Sequence, residues 1–550
     1  MARANNPLNV FKGPDALHRY FQPDENPPLP LVELPDALNP LREDGVRIFA
    51  KLLTALPAQN VKSLPGISGS TVLSLGMISR ALWGHDDVYA YVTNKKPVES
   101  LRLLRFFGLK VSLYGGLAQQ EPSDPKGIMS RLRRMANDDP EKVCYLGQYD
   151  NDGNWRSHEK WTGRQIWEQL PEVNVLCSTI GTGGCITGTG KYLKEKKPSV
   201  KVVGVCNVFG DPTPGPRHFP GFESSPFPWR EVIDSFEQVK SADSFRMSMR
   251  LSRHGIIAGP SSGEALHGLL AHLTVAKEEG RLQEMADPDT GEINCVFLCA
   301  DLPYQYMDMY YTKLGEEEFP PIYNEGLLDV DQNPYDERWF LSPSDVAELL
   351  YQECSEDFFE SHEPLCMVPS SCACDAGRVR FSPPPKSEEP GLFPEPFSSS
   401  ESLPTSSASD STMFSVPSPP SSIFSAATTA SEGITESNLR IIDIRPRADY
   451  LSSHLRNTRS VPLTITKEDF FGDAEAVRER WLEMRDAFEG LDDGWDEKGK
   501  VLVICLDGDS GAMATSMLRA RGREAFCVTG GFGKLEEFLG GRGRWELDVD

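Results

Sequence analysis

Residues Ser178 to Gly190 read Ser-Thr-Ile-Gly-Thr-Gly-Gly-Cys-Ile-Thr-Gly-Thr-Gly, five glycines in thirteen positions. The apolar run Val173-Asn174-Val175-Leu176-Cys177 before it predicts a buried strand, and Lys191-Tyr192-Leu193-Lys194-Glu195-Lys196 after it predicts the start of a helix that ends near Pro198. A glycine-rich turn between strand and helix lets backbone N–H groups converge on one point. The helix N-terminus adds positive potential there, so the stretch predicts an anion site, most often one for phosphate. Two common phosphate fingerprints fail. Counted from Gly181, the third glycine of a dinucleotide motif falls on Ile186; a nucleotide loop ending at Lys191 needs glycine at 185 and a hydroxyl at 192, where Cys185 and Tyr192 stand.

The 550 residues hold material for two or three domains. A net charge of -25 argues against nucleic acid or an anionic membrane as partner. No apolar run approaches the roughly 18 residues that span a bilayer, and the first residues lack the apolar core of a secretion signal. Twelve scattered cysteines read as reduced thiols, so the expected setting is cytoplasmic. Cys372-Ala373-Cys374 lacks a second ligand pair, and no metal is expected.

The glycine run resembles the phosphate loop of pyridoxal-phosphate enzymes of the cysteine synthase and cystathionine β-synthase family. That resemblance implies fold type II, two doubly wound α/β subdomains, with pyridoxal 5'-phosphate as cofactor. Gly181, Thr182, Gly183, Gly184 and Thr187 would then hold the phosphate. The entry segment, Leu31-Val32-Glu33-Leu34 and then Val46-Arg47-Ile48-Phe49-Ala50-Lys51, resembles the family's first two strands. Val61-Lys62 matches the place of the lysine that bonds the cofactor. The chemistry needs an amine that sheds its proton readily, and burial lowers a lysine pKa for that purpose.

Further along, Gly66-Ile67-Ser68-Gly69-Ser70-Thr71 resembles the loop that contacts substrate and cofactor, although it follows Lys62 at once and Ser70 replaces the usual asparagine. Ser68, Thr71 and Gln148 are implied to meet the substrate. Leu73 onward alternates helices with strands through Val111, which predicts a parallel sheet. Gly215-Pro216-Arg217-His218 resembles a segment that closes over the substrate, and His158 is expected in a loop. Gly255 to Leu266 reads as strand, turn and helix. Cys295 to Asp301 is the last buried strand, where relatives place a serine against the pyridine nitrogen. Here Leu302 takes that place and cannot make the bond, whereas Asp301, one residue earlier, is a candidate cofactor contact.

From about Pro364 to Glu436 the chain is rich in Ser and Pro and poor in aliphatics, a composition that cannot bury a core and reads as a disordered insertion or linker. Asp443-Ile444-Arg445, Asp449-Tyr450, His454 and Cys505-Leu506-Asp507-Gly508-Asp509-Ser510-Gly511 resemble a rhodanese domain. Leu341 to Tyr351 would be its first helix. The expected domains are 1–330 and 331–550, with the tract 364–436 inside or between them. A cysteine between strand and helix suits a persulfide carrier, so Cys505 is a candidate catalytic residue. Helix dipole and loop aspartates nearly cancel, which puts its thiol near the free value of about 8.5.

The resemblance thus implies a lyase or transferase acting at the β-carbon of a serine- or cysteine-type amino acid, with sulfide or a thiol as second substrate and a homodimer as assembly. A serine/threonine dehydratase-like lyase and a catalytically impaired, cofactor-binding scaffold are the alternatives.

Overall fold

The computed structural model describes residues 6–63, 72–116, 121–122, 124–353, 439–455, 457–464, 470–489, 491, 499–540 and 547–548. Ser68, Ser70, Thr71, Cys372-Ala373-Cys374 and the Ser/Pro-rich tract lie outside the described residues. The chain forms two compact units, Met1–Pro320 and Pro321–Asp550.

The first unit is built on a six-stranded sheet. Its strands are β1 (Leu31–Glu33), β2 (Val46–Leu52), β5 (Val175–Thr179), β6 (Lys201–Asn207), β7 (Ser235–Val239) and β8 (Ile293–Cys299), in the order β1-β2-β8-β5-β6-β7. Only the β1–β2 pair is antiparallel; the rest are parallel. Strands of such a sheet are apolar on both faces because helices cover both. Val175 and Cys177 of β5 face a core with Leu266 and Leu269 of the helix Pro260–Glu278, whereas Leu176 faces a second core with Ile186 and Leu193. A separate parallel pair, β3 (Tyr89–Thr93) and β4 (Lys110–Tyr114), alternates with the helices Val72–Trp83 and Val98–Phe106.

Two local expectations change. The helix after β5 begins at Gly184, not Lys191. Its glycines are there for packing: a Cβ on Gly188 would sit 1.9 Å from Trp155 O, and one on Gly190 2.6 Å from a Val232 methyl. Residues 256–258 are not a strand, because the preceding helix end takes their bonds. Ile256 N donates to Leu251 O at 3.0 Å, and Ser248 Oγ to Ala258 O at 2.6 Å.

The second unit holds a parallel sheet of β9 (Phe340–Leu341), β10 (Leu439–Asp443), β12 (Thr458–Ser460), β13 (Lys500–Ile504) and β14 (Glu524–Val528), ordered β12-β10-β13-β14-β9. A short pair, β11 (His454–Leu455) with β15 (Leu547–Asp548), lies apart from it. Leu327 and Val330 pack into this unit's core. So do Val346 and Leu350 of the helix Pro343–Glu353, which join Phe532, Leu535 and Leu539. Among the described residues, no helix is long and apolar enough to cross a membrane.

Candidate active site

Strands β2, β8 and β5 are neighbours and parallel, so their C-terminal ends bring three separate stretches to one edge of the sheet. In open α/β sheets that edge is where ligands bind. Lys62 comes after β2, Asp301 just after β8, and the Gly181–Gly184 turn just after β5. Val61 N donates to Ala300 O at 2.7 Å and Asn60 bridges Asp301, which ties the lysine segment to the end of β8.

Lys62 is half-buried, and loss of water lowers its ammonium pKa; Cys185 and Asp301, both nearby, pull it back up. His158 is 1% exposed in a wide helical turn, His158–Gly163, rather than a loop, and its Nδ1 meets Thr162 Oγ1 at 2.9 Å. Burial first, and then the Lys62 charge, pushes its pKa down to about 3, so the imidazole is neutral. Cys185 lies in the first turn of the helix Gly184–Lys196, its thiol raised to about 12 by burial.

Gly183 caps that helix with φ +86, a conformation that only glycine adopts without strain. A Cβ there would also lie 2.4 Å from the Phe222 ring, and a Cβ on Gly184 2.1 Å from Asn154 Oδ1. The first amides of a helix have no backbone partner within it. Thr182 Oγ1 accepts from Asn154 Nδ2 at 3.0 Å and from Gly184 N at 3.3 Å, which leaves its hydroxyl proton to donate. Thr187 Oγ1 is buried without a hydrogen-bond partner. The backbone oxygen of Gln148 accepts from Asn154 Nδ2 at 2.7 Å. Beside the turn, Tyr149, Arg133, Gly181, Thr182 and Phe222 line a cavity of about 260 Å³.

Asp301 Oδ2 accepts from Tyr306 Oη at 2.5 Å and Gln305 Nε2 at 3.0 Å, while Oδ1 is buried and unpartnered. Burial raises its pKa to about 6, against the pull of Tyr306, Lys62 and Gln305. A lysine that sheds its proton, a glycine cradle at a helix start and two orphaned buried oxygens fit a cofactor with an aldehyde, a phosphate and a ring nitrogen. Sequence reasoning missed Asn154, Cys185 and Tyr306. Asn154 and Cys185 act through packing and charge across the fold, and Tyr306 carries no motif of its own.

In the second unit, Cys505 directly follows β13 and is fully buried. Gly508 N donates to its Sγ at 3.2 Å, and a Cβ on Gly511 would sit 2.6 Å from that sulfur. Phe532 N holds Cys505 O at 2.7 Å. Burial drives the thiol pKa far up, with Cys527 and Asp507 adding to it and the Gly508 and Gly511 amides opposing. The expectation of a near-free thiol therefore fails, since it weighed loop charges and left out desolvation. Arg445 pairs with Asp443 at 2.6 Å and lies 3.6 Å over the Phe532 ring.

Residues 46–283 match the family of pyridoxal-phosphate dependent enzymes, and residues 426–537 match the rhodanese-like domain. The chain is therefore a pyridoxal-phosphate-dependent enzyme that carries a rhodanese-like domain. Cysteine synthase from Aquifex aeolicus is 30% identical over 292 residues, 48% of this chain and 86% of its own length. Cysteine synthase A from Salmonella typhi is 29% identical over 261 residues, 43% of this chain and 77% of its own. The solved structure of O-acetyl serine sulfhydrylase isoform 3 from Entamoeba histolytica is 25% identical, covering 52% of this chain and 90% of that one with a TM-score of 0.41. The chain belongs to the cysteine synthase family.

Proposed function

We propose that the first unit exchanges the β-substituent of a serine- or cysteine-type amino acid for sulfide or a thiol, and that the second unit handles sulfur. The observation that carries this reading is the convergence of Lys62, the Gly181–Thr187 turn and Asp301 on one sheet edge, in a chain of this family. Pyridoxal 5'-phosphate, when bound, supplies an electron sink that loosens the bonds at an amino acid's α-carbon and lets the β-substituent leave.

Lys62 would hold the cofactor's aldehyde carbon; its lowered pKa keeps the neutral amine available to bond there and to take a proton from the substrate's α-carbon. The amides of Gly183 and Gly184, with Gly181, Thr182 and Thr187, hold the phosphate at the helix start. Asp301 meets the ring. Ser70 is assigned to the cofactor, and Ser68, Thr71 and Gln148 to the substrate, on the family resemblance.

Cys505 takes the outer sulfur of a sulfane donor such as thiosulfate, releasing sulfite, and holds it as a persulfide beside the Gly508 amide. The tract 364–436 is an insertion within the second domain, a reading supported by β9 and the helix Pro343–Glu353, which precede it and pack in the second unit. A homodimer in the cytoplasm is the expected form, in keeping with the eight free cysteines among the described residues.

Incubation with O-acetylserine and sulfide is expected to yield cysteine, read by mass spectrometry. Cys505→Ser is expected to leave that yield unchanged and, with thiosulfate added as sulfur donor, to remove persulfide labelling of the second unit. Release of a 2-oxo acid and ammonia in place of cysteine would favour a dehydratase, and neither product would mark a non-catalytic scaffold.

A further inference from the structure

We propose that Asp301 is the partner of the cofactor's ring nitrogen and holds that nitrogen protonated, so that this chain sets a carboxylate where its relatives are expected to set a serine hydroxyl. The inference rests on the cofactor site proposed above. Its basis is the geometry at the end of β8.

The backbone there is fixed on both sides: Gly259 N donates to Asp301 O at 2.8 Å, and Asn60 bridges Asp301 from the lysine segment. The side chain is fixed as well. Tyr306 Oη and Gln305 Nε2 both take Oδ2, which leaves Oδ1 as the acceptor turned toward Gly259. A Cβ on Gly259 would lie 2.4 Å from Oδ1, so only glycine leaves room for the carboxylate in this orientation. Oδ1 is buried and has no hydrogen-bond partner. Buried acceptors are nearly always satisfied, and an exception asks for a missing donor.

The other side chains at this strand end cannot serve. Leu302 has neither donor nor acceptor. Ser262, packed against the same end, accepts from Ala300 N at 3.1 Å and turns its hydroxyl proton to the Cys299 thiol.

The charge matters more than the bond. A hydroxyl opposite a pyridine nitrogen offers a neutral hydrogen bond, whereas a carboxylate stabilises the protonated, cationic ring. The proton is taken from solvent when the cofactor binds and sits between the ring nitrogen and Oδ1. In the bare chain, burial holds the Asp301 carboxyl up at about 6, against the opposing pull of Tyr306, Lys62 and Gln305. A cation against Oδ1 lowers it, so the pair stays charged through neutral pH. A cationic ring is the stronger electron sink, which suits a site that has kept its lysine and lost the serine.

The experiment is a nitrogen-15 NMR spectrum of the protein loaded with pyridoxal 5'-phosphate labelled at the ring nitrogen, together with Asp301→Asn and Asp301→Ser. The native protein is expected to show a protonated nitrogen from about pH 6 to 9, and both variants to lose that signal while borohydride still fixes the cofactor. An unprotonated nitrogen in the native protein overturns the inference, even if neither variant folds. So does a nitrogen that stays protonated in the asparagine variant. If the native protein retains no cofactor, it is the cofactor site itself that fails.

Discussion

Lys62→Ala is expected to abolish turnover, by at least the roughly 10²–10⁴-fold that a positioned acid–base group contributes. The loss should be larger than for any neighbour, because one amine serves as both anchor and base. The pH dependence follows from its environment. Burial lowers the Lys62 pKa, so the neutral amine is present above that value and is lost as pH falls through it. The native rate should therefore rise with pH on a limb that lies below the ordinary lysine value of about 10.4. His158, held neutral down to about pH 3, contributes nothing to that limb. Steady-state rates between pH 5 and 10 check both points. A limb near 10.4 would mean that the amine is solvated.

Gly188→Ala should be the most damaging single-methyl change in the first unit. The added carbon would lie 1.9 Å from Trp155 O and 2.7 Å from Glu159 N, both backbone atoms that cannot swing aside. Ordinary overpacking costs about 1–3 kcal/mol. A backbone-on-backbone contact this short should exceed that and reach the exceptional range above about 4 kcal/mol. The helix Gly184–Lys196 and the turn His158–Gly163 would have to separate, which moves the cradle that Gly184 and Asn154 form. Gly115→Ala, with nothing within 4 Å of the new carbon, should change stability by less than about 0.5 kcal/mol. Denaturant unfolding of the two variants side by side measures the difference.

The same glycines show where sequence reading stops. Apolar runs located β2, β5 and β8 to within two residues or so, because a parallel sheet buried on both faces leaves a strong apolar signature. Density of glycine, however, looks the same whether it serves a turn or a crowded helix face. Gly181 and Gly183 serve the first, Gly188 and Gly190 the second, and only the contacts tell them apart. Candidate site residues could be proposed from sequence where a single residue type would carry the chemistry, as at Lys62 and Cys505. They were not legible where the environment decides. The aspartates flanking Cys505 are visible in the sequence, yet desolvation outweighs them and is visible only in the fold. Likewise Asp301 and Leu302 could be compared letter by letter, but the unpartnered Oδ1 beside Gly259 could not.

The central claim is that one lysine at the end of the sheet holds the cofactor. Lys51 is the instructive rival, since it is fully buried and its pKa also falls, to about 7. Its amine is already committed to Leu29 O at 2.8 Å, Gln165 Oε1 at 3.0 Å and Gln169 Oε1 at 2.7 Å, and it lies within β2 rather than beyond its end. The decisive measurement is borohydride reduction of the purified protein with pyridoxal 5'-phosphate, followed by mass mapping of the modified peptide. The expected label is on Lys62; a label on Lys51, Lys95 or Lys96 would contradict the site described above.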